Sequence, residues 1–302
     1  MTTLRVLPHI ADALRRGAPV VALETSVLSQ GLPIPHNADA ARLMVDAVER
    51  EGAVAALTAV AGGIATLGVT AEELLRFLAR DGVRKVSARD LAACIVQRAD
   101  GATTVAASLA LAHRGGVEVF ATGGIGGVHR GAPFDESADL QALATTPVIT
   151  VCAGAKSILD LPATLERLET LGVAVVGYRT DELPGFFTVG TGLRVPHRAD
   201  TPVEIARIAR THWALGQRSA VLVVQPPPSG AALDQATVDA AVTGAVRDAG
   251  VTGLTGAALT PFLLNAVLVA TAGRSLATNL ALLESNAALA ARIAVALSSL
   301  AG

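Results

Sequence analysis

Only two lysines, Lys85 and Lys156, occur among the 24 lysines and arginines of this 302-residue chain. Arginine stays protonated, whereas a lysine withdrawn from water can lose its proton and serve as a nucleophilic amine. Lys156 follows the apolar run 148–151 and the small pair Ala153 and Gly154. An amine at the end of a buried strand is poorly solvated. A neutral amine so placed can attack an aldehyde to form a Schiff base. A lysine snorkelling from a helix start to solvent is the ordinary alternative. Glu24 ends a second apolar run, Val20–Leu23. An acid there is costly unless it is paired or functional.

A glycine-rich stretch, 123–127, follows another strand-like run and allows backbone N–H groups close to an anion. His129 and Arg130 lie just beyond it. Thr103 and Thr104 open a helix and can bond a phosphate at its N-terminus. Together these features predict a phosphate site. Asp135 and Asp139 stand four apart, with Glu136 between them. A cation such as Mg or Mn often takes one protein carboxylate and several waters. Exposed acids at a helix start give the same pattern.

These residues need a scaffold. Short Val-rich runs predict strands at Val20–Leu23, 54–60, 117–121, 148–151, 173–176 and 220–224. Between them lie helical patterns. Asn37 is placed to cap one, Thr70 to Glu73 forms a capping box, and 162–171 and 201–214 read as helices. After Asp234 helices dominate, apart from a turn at 253–256. The alternation predicts an α/β fold: a single domain, 1–302, with a largely parallel central sheet flanked by helices and a helical C-terminal portion. The Pro-rich loop 225–230 shows no change of composition after it, so it does not divide the chain.

Composition narrows the ligand. Net charge is −2 and aromatics are 3%. That gives neither an electrostatic surface nor stacking platforms for nucleic acid, so the expected ligand is small. Cys94 and Cys152 have no metal spacing and read as buried thiols in a reducing cytoplasm. No signal-peptide pattern opens the chain, and the apolar run 262–272 is too short for a membrane span. A soluble cytoplasmic protein is expected.

The strings Ala22-Leu23-Glu24-Thr25, Gly31-Leu32-Pro33, Pro35-His36-Asn37, Lys85-Val86-Ser87, Gly123-Gly124-Ile125-Gly126-Gly127-Val128-His129-Arg130-Gly131 and Cys152-Ala153-Gly154-Ala155-Lys156-Ser157 resemble the pseudouridine-5′-phosphate glycosidase family, also known through the indigoidine synthase A proteins. Thr260-Pro261-Phe262-Leu263-Leu264 and Thr278-Asn279 extend the resemblance over nearly the whole chain. It implies reversible cleavage of pseudouridine 5′-phosphate to uracil and ribose 5-phosphate through a ring-opened lysine imine. Lys156 matches the nucleophile and Glu24 the acid/base. Asp135 matches a metal ligand, with Mn2+ expected. Lys85, Val105, Ser137, Ala138 and Asp139 match substrate-binding positions, and Asn279 matches one near the base pocket. The resemblance also implies a homotrimer. A kinase domain is absent, so a pseudouridine kinase partner is expected as a separate protein.

Four departures bear on base specificity and metal affinity. The segment 130–134 is about two residues shorter than in familiar members, by alignment of the flanking motifs, and loops tolerate such changes. Glu136 replaces an apolar residue. Gln30 stands where His is frequent, and Gln225 where Asn precedes proline. Two other functions fit part of the pattern: an aldolase-like lyase acting on another phosphosugar, and a catalytically dead phosphometabolite-binding or accessory protein.

Overall fold

The computed structural model describes residues 4–131, 135–252 and 259–300. The expected turn at 253–256 lies outside them. The first half holds β1 (Arg5–Val6), α1 (Pro8–Arg15), β2 (Val20–Leu23), α2 (His36–Arg50), β3 (Val54–Ala61), β4 (Ile64–Leu67), α3 (Ala71–Ala79), β5 (Arg84–Val86), α4 (Leu91–Val96), β6 (Gly101–Thr103), α5 (Val105–Arg114) and β7 (Val119–Ala121). The second half holds α6 (Ala138–Thr145), β8 (Ile149–Cys152), α7 (Leu161–Thr170), β9 (Ala174–Tyr178), β10 (His197–Ala199), α8 (Pro202–Ala214), β11 (Val221–Val224), α9 (Gln235–Thr252), α10 (Leu259–Ala270) and α11 (Arg274–Ser299).

Among the described residues eleven strands join in one sheet. Its long run, β3-β2-β7-β8-β11-β9-β10, is parallel throughout. Beside it, β4 and β6 run antiparallel to β3. The expected α/β class and mostly parallel sheet are therefore present. Strands β2, β8 and β11 are buried at every residue, which is why they read as continuous apolar runs rather than alternating ones. The two-to-four-residue strands β1, β4, β5, β6 and β10 have no such run and left no signal in the sequence.

The connections create a crevice. After β2 the chain passes through α2 to β3 on one side. After β7 it passes through α6 to β8 on the other. The winding reverses between β2 and β7, and such reversal points open a ligand crevice at the carboxyl ends of the strands. The register places Leu23 opposite Ala121, and Ala121 opposite Val151. Glu24, Thr122 and Cys152 thus leave three adjacent strands at one level.

Helix α11 packs on β2, β7 and β8 and against α2 and α8. It is the one helix among the described residues long and apolar enough to cross a membrane, and 61% of its apolar window is buried inside the protein. Leu282, Leu283, Ala287 and Ala290 supply that buried face. It is a core helix, and the sequence reading had looked instead at 262–272. Two capping expectations meet different outcomes. Thr70 accepts from the Glu73 amide at 3.2 Å while Glu73 accepts from the Thr70 amide at 2.9 Å, as a capping box requires. Asn37 does not cap α2, which begins at His36. Its amide nitrogen instead donates to the carbonyls of Leu28 and Leu78, at 3.0 and 2.9 Å. It thereby ties the π-type turn Val27–Gly31 to the end of α3.

Candidate active site

A cavity of about 370 Å³ opens at the crevice, and Glu24, Lys85, Val105, His129, Asp135, Ser137, Ala138, Asp139, Lys156 and Asn279 all line it. Glu24 leaves β2 and is 5% exposed. Ser26 Oγ donates to its Oε2 at 2.6 Å, and Thr122 Oγ1 donates to Oε1. Burial pushes its carboxyl above the usual 4.5, although the Lys156 charge and these two hydroxyls pull the other way. Lys156 follows β8, and its Nζ donates to the Gly124 carbonyl at 2.6 Å. Burial, and then the charge of Lys156, hold the Lys85 ammonium below its usual 10.5. The structure thus brings both lysines and the buried acid to one cavity.

The turn carrying Lys156 depends on a glycine. Gly154 has φ of +86°, and a Cβ there would meet the Pro184 carbonyl oxygen at 2.4 Å. Arg130 braces the same turn. Its guanidinium donates to the Leu159 carbonyl at 3.0 Å and the Ser157 carbonyl at 3.4 Å. This corrects the expectation that Arg130 meets substrate: it is absent from the cavity wall.

The glycine-rich stretch also differs from its expected role. The Ile125 amide donates to the Gly154 carbonyl at 3.1 Å. The Gly126 amide donates to Asp139 Oδ2 at 2.9 Å, and the Val128 amide to Thr164 Oγ1 at 3.0 Å. Those amides serve the fold rather than an anion. Small residues are needed there for close packing: a Cβ on Gly126 would lie 2.2 Å from Ser137 Oγ. Thr103 is likewise corrected. It ends β6, fully buried, among the hydroxyls of Thr25, Thr58 and Ser108. Its neighbour Thr104 lines the cavity at the start of α5, and its buried Oγ1 has no partner among the described residues. Strand alternation sends adjacent side chains to opposite faces. Beside the cavity lie also the starts of α5 and α6; backbone N–H groups at helix starts favour negative charge, and the Ala106 amide of α5 already meets Asp139.

The three acids once read as a cluster go three ways. Asp139 accepts from the amides of Ala106 and Gly126, at 3.0 and 2.9 Å, and joins the start of α5 to the glycine stretch. Glu136 accepts from Arg167 Nε at 2.9 Å, so its extra charge is already matched. Asp135 Oδ2 lies 3.5 Å from His129 Nδ1. Among the described residues no group of three or more His, Cys, Asp or Glu side chains converges. One cavity-facing carboxylate with an imidazole beside it fits a divalent ion completed by water.

Gln225 does not reach the cavity. Its Nε2 donates to Asn286 Oδ1 at 2.9 Å, and Asn286 Nδ2 donates to the Thr122 carbonyl at 2.9 Å. It supports the strand end that carries a partner of Glu24. Both cysteines are free and buried, as expected. Burial raises Cys152 to about 12, which keeps that thiol protonated. Sequence reasoning missed Ser26, Thr122 and Phe186 as site residues. Ser26 is two residues from Glu24, and Thr122 directly follows a strand beside β2, so alignment of strand ends was the available signal for both.

Fold and site define a class: an α/β protein whose buried carboxyl and half-buried amine face one cavity at the reversal point of a parallel sheet. The chain belongs to the indigoidine synthase A-like family, whose model matches residues 9–296. It is 62% identical over 293 residues to the pseudouridine-5′-phosphate glycosidase of Gemmatimonas aurantiaca, covering 97% of this chain and 96% of that one. It is 49% identical over 299 residues to the protein of the same name from Herpetosiphon aurantiacus, covering 98% and 99%. Among solved structures, the prealnumycin C-glycosynthase AlnA in complex with ribulose 5-phosphate matches with a TM-score of 0.93 and 38% identity, covering 100% and 99% of the two chains. An indigoidine synthase A-like protein from Thermotoga maritima matches with a TM-score of 0.90 and 33% identity, covering 98% and 97%.

Proposed function

We propose that this chain is a pseudouridine-5′-phosphate glycosidase, cleaving the carbon–carbon glycosidic bond reversibly to uracil and ribose 5-phosphate. The observation that carries this reading is Glu24 and Lys156 on one cavity, beyond the ends of β2 and β8, the two strands that flank β7. The names of the close relatives supply the substrate.

The bond to be broken has no electronegative atom on the base side, so simple hydrolysis does not suffice. Glu24, whose carboxyl burial pushes above its usual 4.5, gives its proton to the ribose ring oxygen as the ring opens. The Lys156 amine bonds to C1′ as the C1′–O4′ bond breaks, giving an open-chain secondary amine. The C1′–C5 bond then breaks: its electron pair goes to uracil C5, which takes a proton, while the nitrogen lone pair makes the C1′=N imine. Water hydrolyses the imine, which releases ribose 5-phosphate and restores the amine. Lys85, Thr104, Ser137 and the starts of α5 and α6 hold the anionic sugar phosphate. Asp135, with His129 beside it, is the place for Mn2+, which supplies positive charge for oxygens of the substrate.

The same reading carries a homotrimer, a separate pseudouridine kinase and a cytoplasmic location. The buried free thiols of Cys94 and Cys152 support a reducing compartment. The test is synthesis. Purified protein with Mn2+, uracil and ribose 5-phosphate should yield pseudouridine 5′-phosphate by liquid chromatography and mass spectrometry. Folded protein that yields none, but condenses simple aldehydes, would establish the aldolase-like alternative instead.

A further inference from the structure

A second cavity of about 240 Å³ adjoins the first, and Gln30, Gly31, Leu264 and Asn279 line both. Its other polar lining residues are Arg80, Asn265 and Ser275, and nothing in the mechanism above uses them. Arg80 stands at the C-cap of α3 in the left-handed conformation, φ 67°, with its amide donating to the Arg76 carbonyl at 3.1 Å. Its Nε and one terminal nitrogen, Nη2, are buried with no hydrogen-bond partner among the described residues. The same is true of Gln30 Oε1 and Asn279 Oδ1, and Asn279 is 8% exposed. Four unpaired polar atoms on one pair of joined cavities are a costly arrangement unless a ligand completes it.

The atom types say what that ligand offers. Guanidinium N–H groups only donate, whereas the amide oxygens of Gln30 and Asn279 only accept. A phosphate or carboxylate would satisfy the arginine but would set its oxygens against the two amide oxygens. A neutral, flat ring with both C=O and N–H groups along its edge satisfies all three side chains. Phe187, Leu264 and Leu268 offer the apolar walls that suit the faces of such a ring. Gln30 Nε2 is turned to the Val83 carbonyl at 3.4 Å, and its buried Oε1 is left without a partner among the described residues.

We propose that Arg80 determines base specificity: with Gln30 and Asn279 it reads the carbonyl and N–H edge of a pyrimidine-2,4-dione in the second cavity. The proposal rests on the glycosidase reading and adds a residue that acts on the base and not on the sugar phosphate. The test compares wild type, Arg80→Met and Arg80→Lys in the synthesis direction, with uracil and ribose 5-phosphate varied separately. Arg80→Met should raise the KM for uracil roughly 10- to 100-fold, the worth of a hydrogen bond from a charged donor. The KM for ribose 5-phosphate should stay within about twofold, because Arg80 lines only the base end. Arg80→Lys keeps one donor and should fall between. If Arg80→Met is unfolded by circular dichroism, Arg80→Lys carries the test with the same two KM values. A wild type that couples uracil, beside a folded variant with an unchanged uracil KM or with both KM values raised alike, overturns the proposal alone. A wild type that couples no uracil overturns the glycosidase reading and the proposal with it.

Discussion

The two ends of the joined cavities are wired differently. At the proposed sugar end the side chains are held by the protein: Glu24 by Ser26 and Thr122, Lys156 by the Gly124 carbonyl, and, beside them, Asp139 by two backbone amides. At the far end Arg80, Gln30 and Asn279 keep atoms that are unpaired among the described residues. Thr104 is the exception at the sugar end: its hydroxyl has no partner among the described residues and lies where the proposed function puts the phosphate. The difference separates two tasks. Groups that move electrons and protons work best when fixed in advance, since little reorganisation then remains for the reaction. Groups that select a ligand discriminate best when only the right ligand completes their bonds.

The largest effects fall at the fixed end. Lys156→Ala should lower turnover at least roughly 1,000-fold, as loss of a covalent nucleophile does, with the circular dichroism spectrum unchanged. Lys156→Arg should fail equally, because a guanidinium forms no imine. Wild-type turnover in either variant would remove the imine from the account. Glu24→Gln should slow turnover by roughly 100-fold or more, the usual contribution of a general acid or base.

That variant also sharpens the pH behaviour. Folding raises Glu24 above its ordinary 4.5. Its contribution to stability is therefore full below that pH and is lost as pH rises through the folded value. The protonated acid needed for ring opening is lost over the same interval. The wild-type rate should fall on that limb, and the limb should vanish from the profile of Glu24→Gln. An identical pH profile in both proteins would assign the limb to another group.

Much of the scaffold was legible because buried parallel strands must be apolar along their whole length. Val20–Leu23 and Val221–Val224 announced themselves in this way, and Thr70 with Glu73 marked a helix start by its capping chemistry. The site was legible where a residue type was rare. Lys85 and Lys156 stood out because arginine carries nearly all the basic charge. Arg80 was invisible for the same reason, as one arginine among many. Thr103 and Thr104 could not be told apart without the strand register that sends one into the core and the other to the cavity. Gln225 and Arg130 sit in motif-like strings, yet they act on backbone and buried amides. Sequence spacing does not reveal which way a side chain turns.

Smaller effects probe the support beneath the fixed end. Asn286 is 1% exposed and bridges Gln225 to the carbonyls of Thr122 and Gly123. Asn286→Ala removes these bonds, although Gln225 Nε2 keeps Ser285 Oγ at 3.3 Å and the Gly123 carbonyl keeps the Ala153 amide at 2.9 Å, and should cost about 1–3 kcal/mol of stability, read by thermal or urea unfolding. An unchanged midpoint would show that the network contributes nothing there. The Glu136–Arg167 pair lies near the proposed ion site, with side chains 33% and 39% exposed. Arg167→Ala should cost less than about 1 kcal/mol, because solvent screens such pairs. A larger loss would mean that this contact supports the cavity wall.

The most direct measurement is mass spectrometry of the protein mixed with ribose 5-phosphate and borohydride, with and without Mn2+. A reduced adduct on Lys156, absent from Lys156→Ala, is the predicted result. Folded protein that binds the sugar phosphate yet gives no adduct would contradict the imine and leave a binding protein in its place.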